Sequence, residues 1–260
     1  MSKKLLIDAH LKRLRMPTIA RFYEELARDA EVNNHTFEAY LLALLDLEVQ
    51  QRDLSTQQRR IKAAKFPLIK TLDQFNFSVL PDLNQSRILT LSQNDYIDRH
   101  ENILMIGPTG VGKTHLAIGL GIAACRACKR VRFTTTPALV NELLEARQER
   151  RLSRLQNAYQ RFQLLILDEF GFVPFPRDGA ELLFNLIASR HEVGSTILTS
   201  NLEFSRWTEV IGDQTLAGAL VDRLTHHAHI IQIKGDSYRF RESLQSRAGR
   251  SKSKAADVYE

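Results

Sequence analysis

One stretch of this chain restricts its fold more than any other. The apolar run from Ile103 to Ile106 leads directly into Gly107-Pro108-Thr109-Gly110-Val111-Gly112-Lys113-Thr114, and His115 opens the apolar segment HLAIGLGIAACRAC. This is G-x-x-x-x-G-K-T between a strand and a helix, the context the pattern requires. The glycines let successive backbone N–H groups turn inward toward a phosphate. The helix N-terminus adds its positive dipole end. Lys113 is expected to reach the β- and γ-phosphates of ATP, and the Thr114 hydroxyl to bind Mg²⁺. Residues 107–115 therefore form the expected nucleotide-binding set.

A phosphate loop of this kind needs a parallel sheet to carry it. Short apolar runs at 103–107, 131–135, 164–168, 196–200 and 229–233 alternate with helix-like stretches. Nearly continuous apolar strands between helices predict an α/β fold, its five-stranded parallel sheet covered on both faces. The third run, LLILDEF, ends in Asp168 and Glu169. Asp168 is placed to hold Mg²⁺ and Glu169 to polarise an attacking water as general base. The fourth run, ILTSN, ends in Asn201 at the sheet edge where the nucleotide is expected. Asn201 reads either as a group orienting that water or as a turn residue. In LAGALVDRL, Arg223 reads either as a finger reaching a neighbouring subunit's γ-phosphate or as a partner in a surface salt bridge.

The first 70 residues differ. They show no strand pattern, and helical spacing recurs at Ile19, Phe22, Tyr23 and Leu26 after Pro17. Thr36 is a plausible N-cap for a second helix, in which Phe37, Tyr40, Leu41, Leu44 and Leu45 form one apolar stripe. Residues 1–70 contain 13 basic and 9 acidic side chains, whereas residues 131–245 contain 13 and 14. The positive excess thus lies largely in the helical appendage, where Arg59 and Arg60 are candidate DNA contacts. The expected organisation is a helical domain at 1–70, an ATPase domain at 71–245 and a disordered basic tail at 246–260.

A second basic cluster lies inside the ATPase domain. Arg147, Arg150, Arg151 and Arg154 fall at i, i+3, i+4 and i+7, which on an unbroken helix puts four guanidinium groups on one face. That face suits duplex phosphates; with Glu142, Glu145 and Glu149 as partners it also reads as a solvated surface. No apolar run approaches the roughly 20 residues of a membrane span. The N-terminus lacks a secretory leader's apolar core. With only two cysteines, a reducing cytoplasmic location and no membrane partner are expected. Cys125 and Cys128 are expected to be packed small residues, and His226, His227 and His229 to be structural.

The words GPTGVGKTHLAIGLG, LLILDEFGFVPF, STILTSNLEFSRWTEV, LAGALVDRLTHHAHII and IKGDSYRFRES together resemble the AAA+ ATPases of the IstB/DnaC type. Within that group the chain looks like the IstB-type transposition helpers of insertion sequences, from Leu11 to about Ser243. The resemblance implies a P-loop AAA+ core with strand order 5-1-4-3-2 and no large helical lid. It implies Asn201 as a γ-phosphate sensor, Arg223 as an arginine finger acting in trans, and Arg239 as a second phosphate-sensing arginine. It also implies ATP-dependent homo-oligomers on duplex DNA that direct a transposase. DnaC-like helicase loading is the alternative.

Overall fold

The computed structural model describes residues 2–235, which fall into two compact units divided between Arg59 and Arg60. The expected boundary was near residue 70. Arg239 and the tail from residue 246 lie outside the described residues. Among those described, no helix is long and apolar enough to cross a membrane.

The first unit is helical. Helices α1 (Lys3–Arg13) and α2 (Pro17–Val32) precede α3 (Phe37–Ala64), whose last residues belong to the second unit. Pro17 sits in the first turn of α2, and no side chain of Met16 caps that turn. Glu48 of α3 does so instead. Its Oε2 accepts the N–H groups of Thr18 and Ile19 at 2.9 and 3.2 Å, and Arg52 Nε donates to its Oε1 at 2.8 Å. Burial raises the Glu48 pKa, but Arg52 and the two N–H groups outweigh it and hold the carboxyl below its ordinary value. Thr36 Oγ1 accepts the Ala39 N–H at 3.2 Å, so α3 is capped where its sequence suggests.

The apolar stripe of α3 divides. Leu44 is buried, and the Tyr40 hydroxyl donates to the Tyr23 carbonyl at 3.0 Å. Phe37, Leu41 and Leu45 remain 94%, 55% and 40% exposed. The stripe is wider than the contact available within this unit.

The second unit begins with short connecting turns, α4 (Gln85–Leu91) and α5 (Asp95–Asp98). Strands β1 (Asn102–Ile106), β2 (Val131–Thr135), β3 (Leu164–Phe170), β4 (Ser195–Ser200) and β5 (Ala228–Gln232) form a wholly parallel sheet in the order β2-β3-β4-β1-β5. Read from the other edge this is 5-1-4-3-2, the expected order. The connecting helices are α6 (Lys113–Arg126), α7 (Thr136–Gln148), α8 (Leu152–Gln160), α9 (Arg177–Arg190), α10 (Thr208–Ile211) and α11 (Gln214–Thr225).

Alternation along the central strands β1, β3 and β4 sorts their apolar runs between two cores. Ile103, Met105, Leu164, Ile166 and Ile197 face one core with α6. Leu104, Leu165, Leu167 and Leu198 face the other, with α7, α9 and α11. Trp207 is fully buried there against Phe170 and Phe204, as its packing role requires. At the end of α9 the buried Arg190 donates to the carbonyls of Tyr159, Phe162 and Ser195 at 2.6, 2.9 and 3.0 Å. Desolvation lowers its pKa to about 10.

Candidate active site

Three neighbouring strands deliver the site residues to their carboxyl ends. Beyond β1, the P-loop is drawn close to β4 and to the segment after β5. Gly107 N–H donates to the Ser200 carbonyl at 3.1 Å. A Cβ on Gly107 would lie 2.1 Å from the Ile233 carbonyl oxygen, so only glycine fits. Gly112 has φ 96°, and a Cβ there would meet the Phe75 ring at 2.7 Å. That ring also lies edge-on to His115, whose Nε2 is 2.9 Å from the Thr71 carbonyl oxygen. Phe75 and Thr71 thus brace the loop, a role that no motif in the sequence signals.

Beneath the loop the polar groups converge. Thr114 Oγ1 lies 3.0 Å from both carboxylate oxygens of Asp168, which is buried. Thr199 Oγ1 donates to Asp168 Oδ1 at 2.5 Å and accepts the Glu169 N–H at 3.1 Å. Thr136 Oγ1 donates to the Asp168 carbonyl at 3.0 Å. Thr199 and Thr136 orient the aspartate and its strand, yet in sequence each is simply one threonine in a strand or helix start. A carboxylate and a hydroxyl converging in this way form a hard-oxygen donor set, which fits Mg²⁺.

Lys113 Nζ donates to the Gly107 and Pro108 carbonyls at 2.6 and 2.7 Å. Burial lowers its pKa to about 8, with the Asp168 charge opposing the shift. Its ammonium therefore sits within the loop that the sequence assigns to phosphates.

Adjacent carboxylates meet opposite environments. Asp168 is buried, whereas Glu169 is exposed. The β3–β4 register shifts between Leu167 and Phe170. Glu169 lies within this irregularity with φ 60°, a left-handed conformation uncommon for a non-glycine residue. The shift breaks the alternation that would otherwise carry the strand on unchanged. Asn201 follows β4, and its Oδ1 is buried without a hydrogen-bond partner among the described residues. It borders Gly171, where a Cβ would lie 3.0 Å from that oxygen. A buried polar atom without a partner in the body of a site is the kind of group a ligand satisfies.

The family follows from comparison with known proteins. Residues 9–246 match the model of the IstB-like ATP binding protein family. The chain belongs to that family. It is 39% identical over 236 residues to the insertion sequence IS5376 putative ATP-binding protein of Geobacillus stearothermophilus, covering 91% of this chain and 94% of the relative. It is also 39% identical over 240 residues to the IS21 putative ATP-binding protein of Pseudomonas aeruginosa, covering 92% and 91%. A crystal structure of DnaI superimposes with a TM-score of 0.55 at 17% identity, over 69% of this chain and 98% of that one. That likeness concerns the fold. Family, P-loop and sheet order together make the chain an AAA+-type ATPase.

Other expected residues do not join this cluster. Arg223 sits on α11 with Cζ 4.8 Å from the Phe184 ring of α9, and it donates to the Ala219 carbonyl at 3.3 Å. These contacts lie on its own helix and on α9 rather than on the P-loop. The single arginine face is not formed. Helix α7 ends at Gln148, Arg150 takes φ 56°, and α8 starts at Leu152. Arg147, Arg150, Arg151 and Arg154 instead occupy an exposed helix–turn–helix corner. Arg147 pairs with Asp178 at 2.5 Å and Arg151 pairs with Glu149. On α3, Arg59 donates to Ser55 and Thr56 of its own helix, and Arg60 is half-buried. Cys125 is buried, which pushes its thiol up to about 12, but Cys128 is exposed, so the two do not form a packed pair.

Proposed function

We propose that this chain is an ATP-dependent, DNA-binding regulator of insertion-sequence transposition. It assembles as a homo-oligomer on duplex target DNA in the cytoplasm and recruits or activates the partner transposase. Membership in the IstB-like family supports the transposition setting. The observation that carries the nucleotide chemistry is the convergence of Thr114, Asp168 and Thr199 beneath the P-loop, with Glu169 exposed beside them.

In this reading the backbone N–H groups of residues 107–114 bind the ATP phosphates, and Lys113 exchanges its loop carbonyls for phosphate oxygens. Thr114 and Asp168 would hold Mg²⁺, which offsets charge on the β- and γ-phosphates. Thr199 keeps Asp168 aimed by donating to it. Glu169 accepts a proton from the attacking water, and Asn201 orients that water. A neighbouring subunit's Arg223 leaves Phe184 and completes the site in trans. Hydrolysis then loosens the assembly, so turnover times how long the protein stays on DNA. Arg147, Arg150, Arg151 and Arg154, with Arg59 and Arg60, are the proposed phosphate contacts, and they read backbone rather than sequence.

Mixing two inactive variants tests the interface. Glu169→Gln keeps its own Arg223, while Arg223→Ala keeps an intact pocket. Each alone is expected to release phosphate slowly, and their mixture on duplex DNA to regain a substantial fraction of wild-type turnover. A mixture no faster than its components would contradict catalysis in trans.

A further inference from the structure

Away from the P-loop, the structure joins two helix ends that are far apart in sequence. Helix α9 finishes at Arg190 with His191 as its C-cap, followed by Glu192. Helix α11 finishes at Thr225 with His226 as its C-cap. One ligand atom each from His191, Glu192 and His226 lie within 4.8 Å of one another. The two imidazole rings are 5.5 Å apart. His191 is half-buried, and Glu192 and His226 are exposed, so the group is open to solvent. The sequence alone reads His226 as structural, and the fold brings His191 and the Glu192 carboxylate beside it.

We propose that His191, Glu192 and His226 form a site for a divalent transition metal, best suited to Zn²⁺, that staples the C-terminal ends of α9 and α11. Two imidazoles and one carboxylate are a zinc donor set that leaves a fourth position for water. A tetrahedral ion with bonds of about 2.0–2.1 Å holds its donors roughly 3.3 Å apart, so ligand atoms that already lie within 4.8 Å of one another need close only a short gap. Hard cations such as Mg²⁺ prefer all-oxygen sets and are disfavoured here.

The surrounding charges agree with a cation. Both helices, 14 and 12 residues long, present their C-terminal ends to the group, and those ends carry partial negative charge. Arg190, next to His191, is turned inward onto three carbonyls, and Arg223 rests on the Phe184 ring. His227 lies edge-on to His226 at 4.2 Å but is not among the three converging ligands. It therefore serves as an internal control.

The staple has a structural consequence. Helix α11 carries Arg223, and α9 carries the Phe184 ring on which Arg223 rests. An ion at His226 would fasten the helix pair that positions this arginine, one turn from it. This does not depend on the role of Arg223 in hydrolysis.

Zn²⁺ binding to the untagged, chelator-stripped full chain tests the site, measured by competition with a chromophoric chelator and by thermal melting. One ion per chain is expected, with a rise in Tm. Loss of a ligand is expected to weaken binding by about 100-fold or more, at or above the effect of losing an outer-shell partner. His226→Ala, Glu192→Gln and the His191→Ala/His226→Ala pair should all show this loss while melting like wild type without metal. His227→Ala should bind within about threefold of wild type, well inside the range that separates ligands from bystanders. Wild-type binding no tighter than that of the double variant would overturn the proposal. So would a His227→Ala loss as large as that of His226→Ala.

Discussion

The helical N-terminal unit and the ATPase core use apolar residues in different ways. In the core, the runs of the three central strands β1, β3 and β4 are divided by alternation between two faces, and both faces are covered. In the helical unit, α3 carries an apolar stripe of which Leu44 is buried while Phe37, Leu41 and Leu45 remain at the surface. The pattern of those central strands is accounted for by packing within the core. The helical unit's pattern exceeds what its own helices bury, and polar contacts such as Glu48 at the start of α2 add to the burial of Ile19 and Leu44. A core built around a motif can thus be read for its chemistry. An amphipathic helix announces a face without naming what covers it.

The largest effect expected lies in the core. Glu169→Gln should slow phosphate release by about 10²–10⁴-fold, the usual contribution of a positioned general base. ATP affinity, followed with a fluorescent analogue, should stay close to wild type. A loss of affinity matching the loss of rate would make Glu169 a binding residue and remove the contrast between it and buried Asp168.

Within α3 two truncations sharpen the comparison. Leu44→Ala should destabilise the helical unit by about 2–5 kcal/mol, as large-to-small changes at buried leucines do. Phe37→Ala should change it by no more than about 0.5 kcal/mol, as at an exposed surface site. Chemical denaturation followed by far-UV circular dichroism distinguishes them. Equal costs would mean that the surface stripe is packed in the isolated protein.

A polar contact gives a smaller effect. Glu48→Gln keeps the shape but weakens the acceptor for Thr18, Ile19 and Arg52, and should cost about 1–2 kcal/mol. The Glu48 pKa is depressed in the fold, so its contribution is present above the ordinary carboxylate range and is lost as pH falls through and below that range. In the variant, the acid-induced loss of helical signal should be shallower. An unchanged acid profile would remove Glu48 as the anchor of α2.

The smallest effect concerns Lys113. Its pKa of about 8 lies below that of an ordinary lysine, so the free site sheds its proton as pH rises through that value. Phosphate binding favours the charged form. ATP affinity should therefore hold below pH 8 and fall above it, by at most about tenfold per pH unit. Lys113→Arg should remove this dependence, since a guanidinium stays charged. A flat wild-type profile between pH 7 and 9 would contradict the lowered value.

Much of the core was legible because its signals are local. All five strands appear as apolar runs with clear ends, and the P-loop, Asp168 and Glu169 follow from spacing and strand position. Other features depend on contacts that a linear reading cannot supply. Thr199 supports Asp168 only because β4 lies beside β3. Glu192 meets His226 only because α9 and α11 end together. The break between α7 and α8 was missed for a local reason. Arg150 adopts a left-handed conformation without a glycine or proline to mark it, and the arginine spacing continues in phase across the turn. The exposure of Phe37 was missed because periodicity identifies a stripe but not its width relative to its partner.

Whether ATP gates assembly on duplex DNA is read by sedimentation of the full chain with duplex at two salt concentrations, with ATP, ADP or no nucleotide. A large complex is expected that forms with ATP, falls apart with ADP, and weakens steeply as salt rises. Indifference to nucleotide on duplex, or assembly on single strands alone, would contradict it.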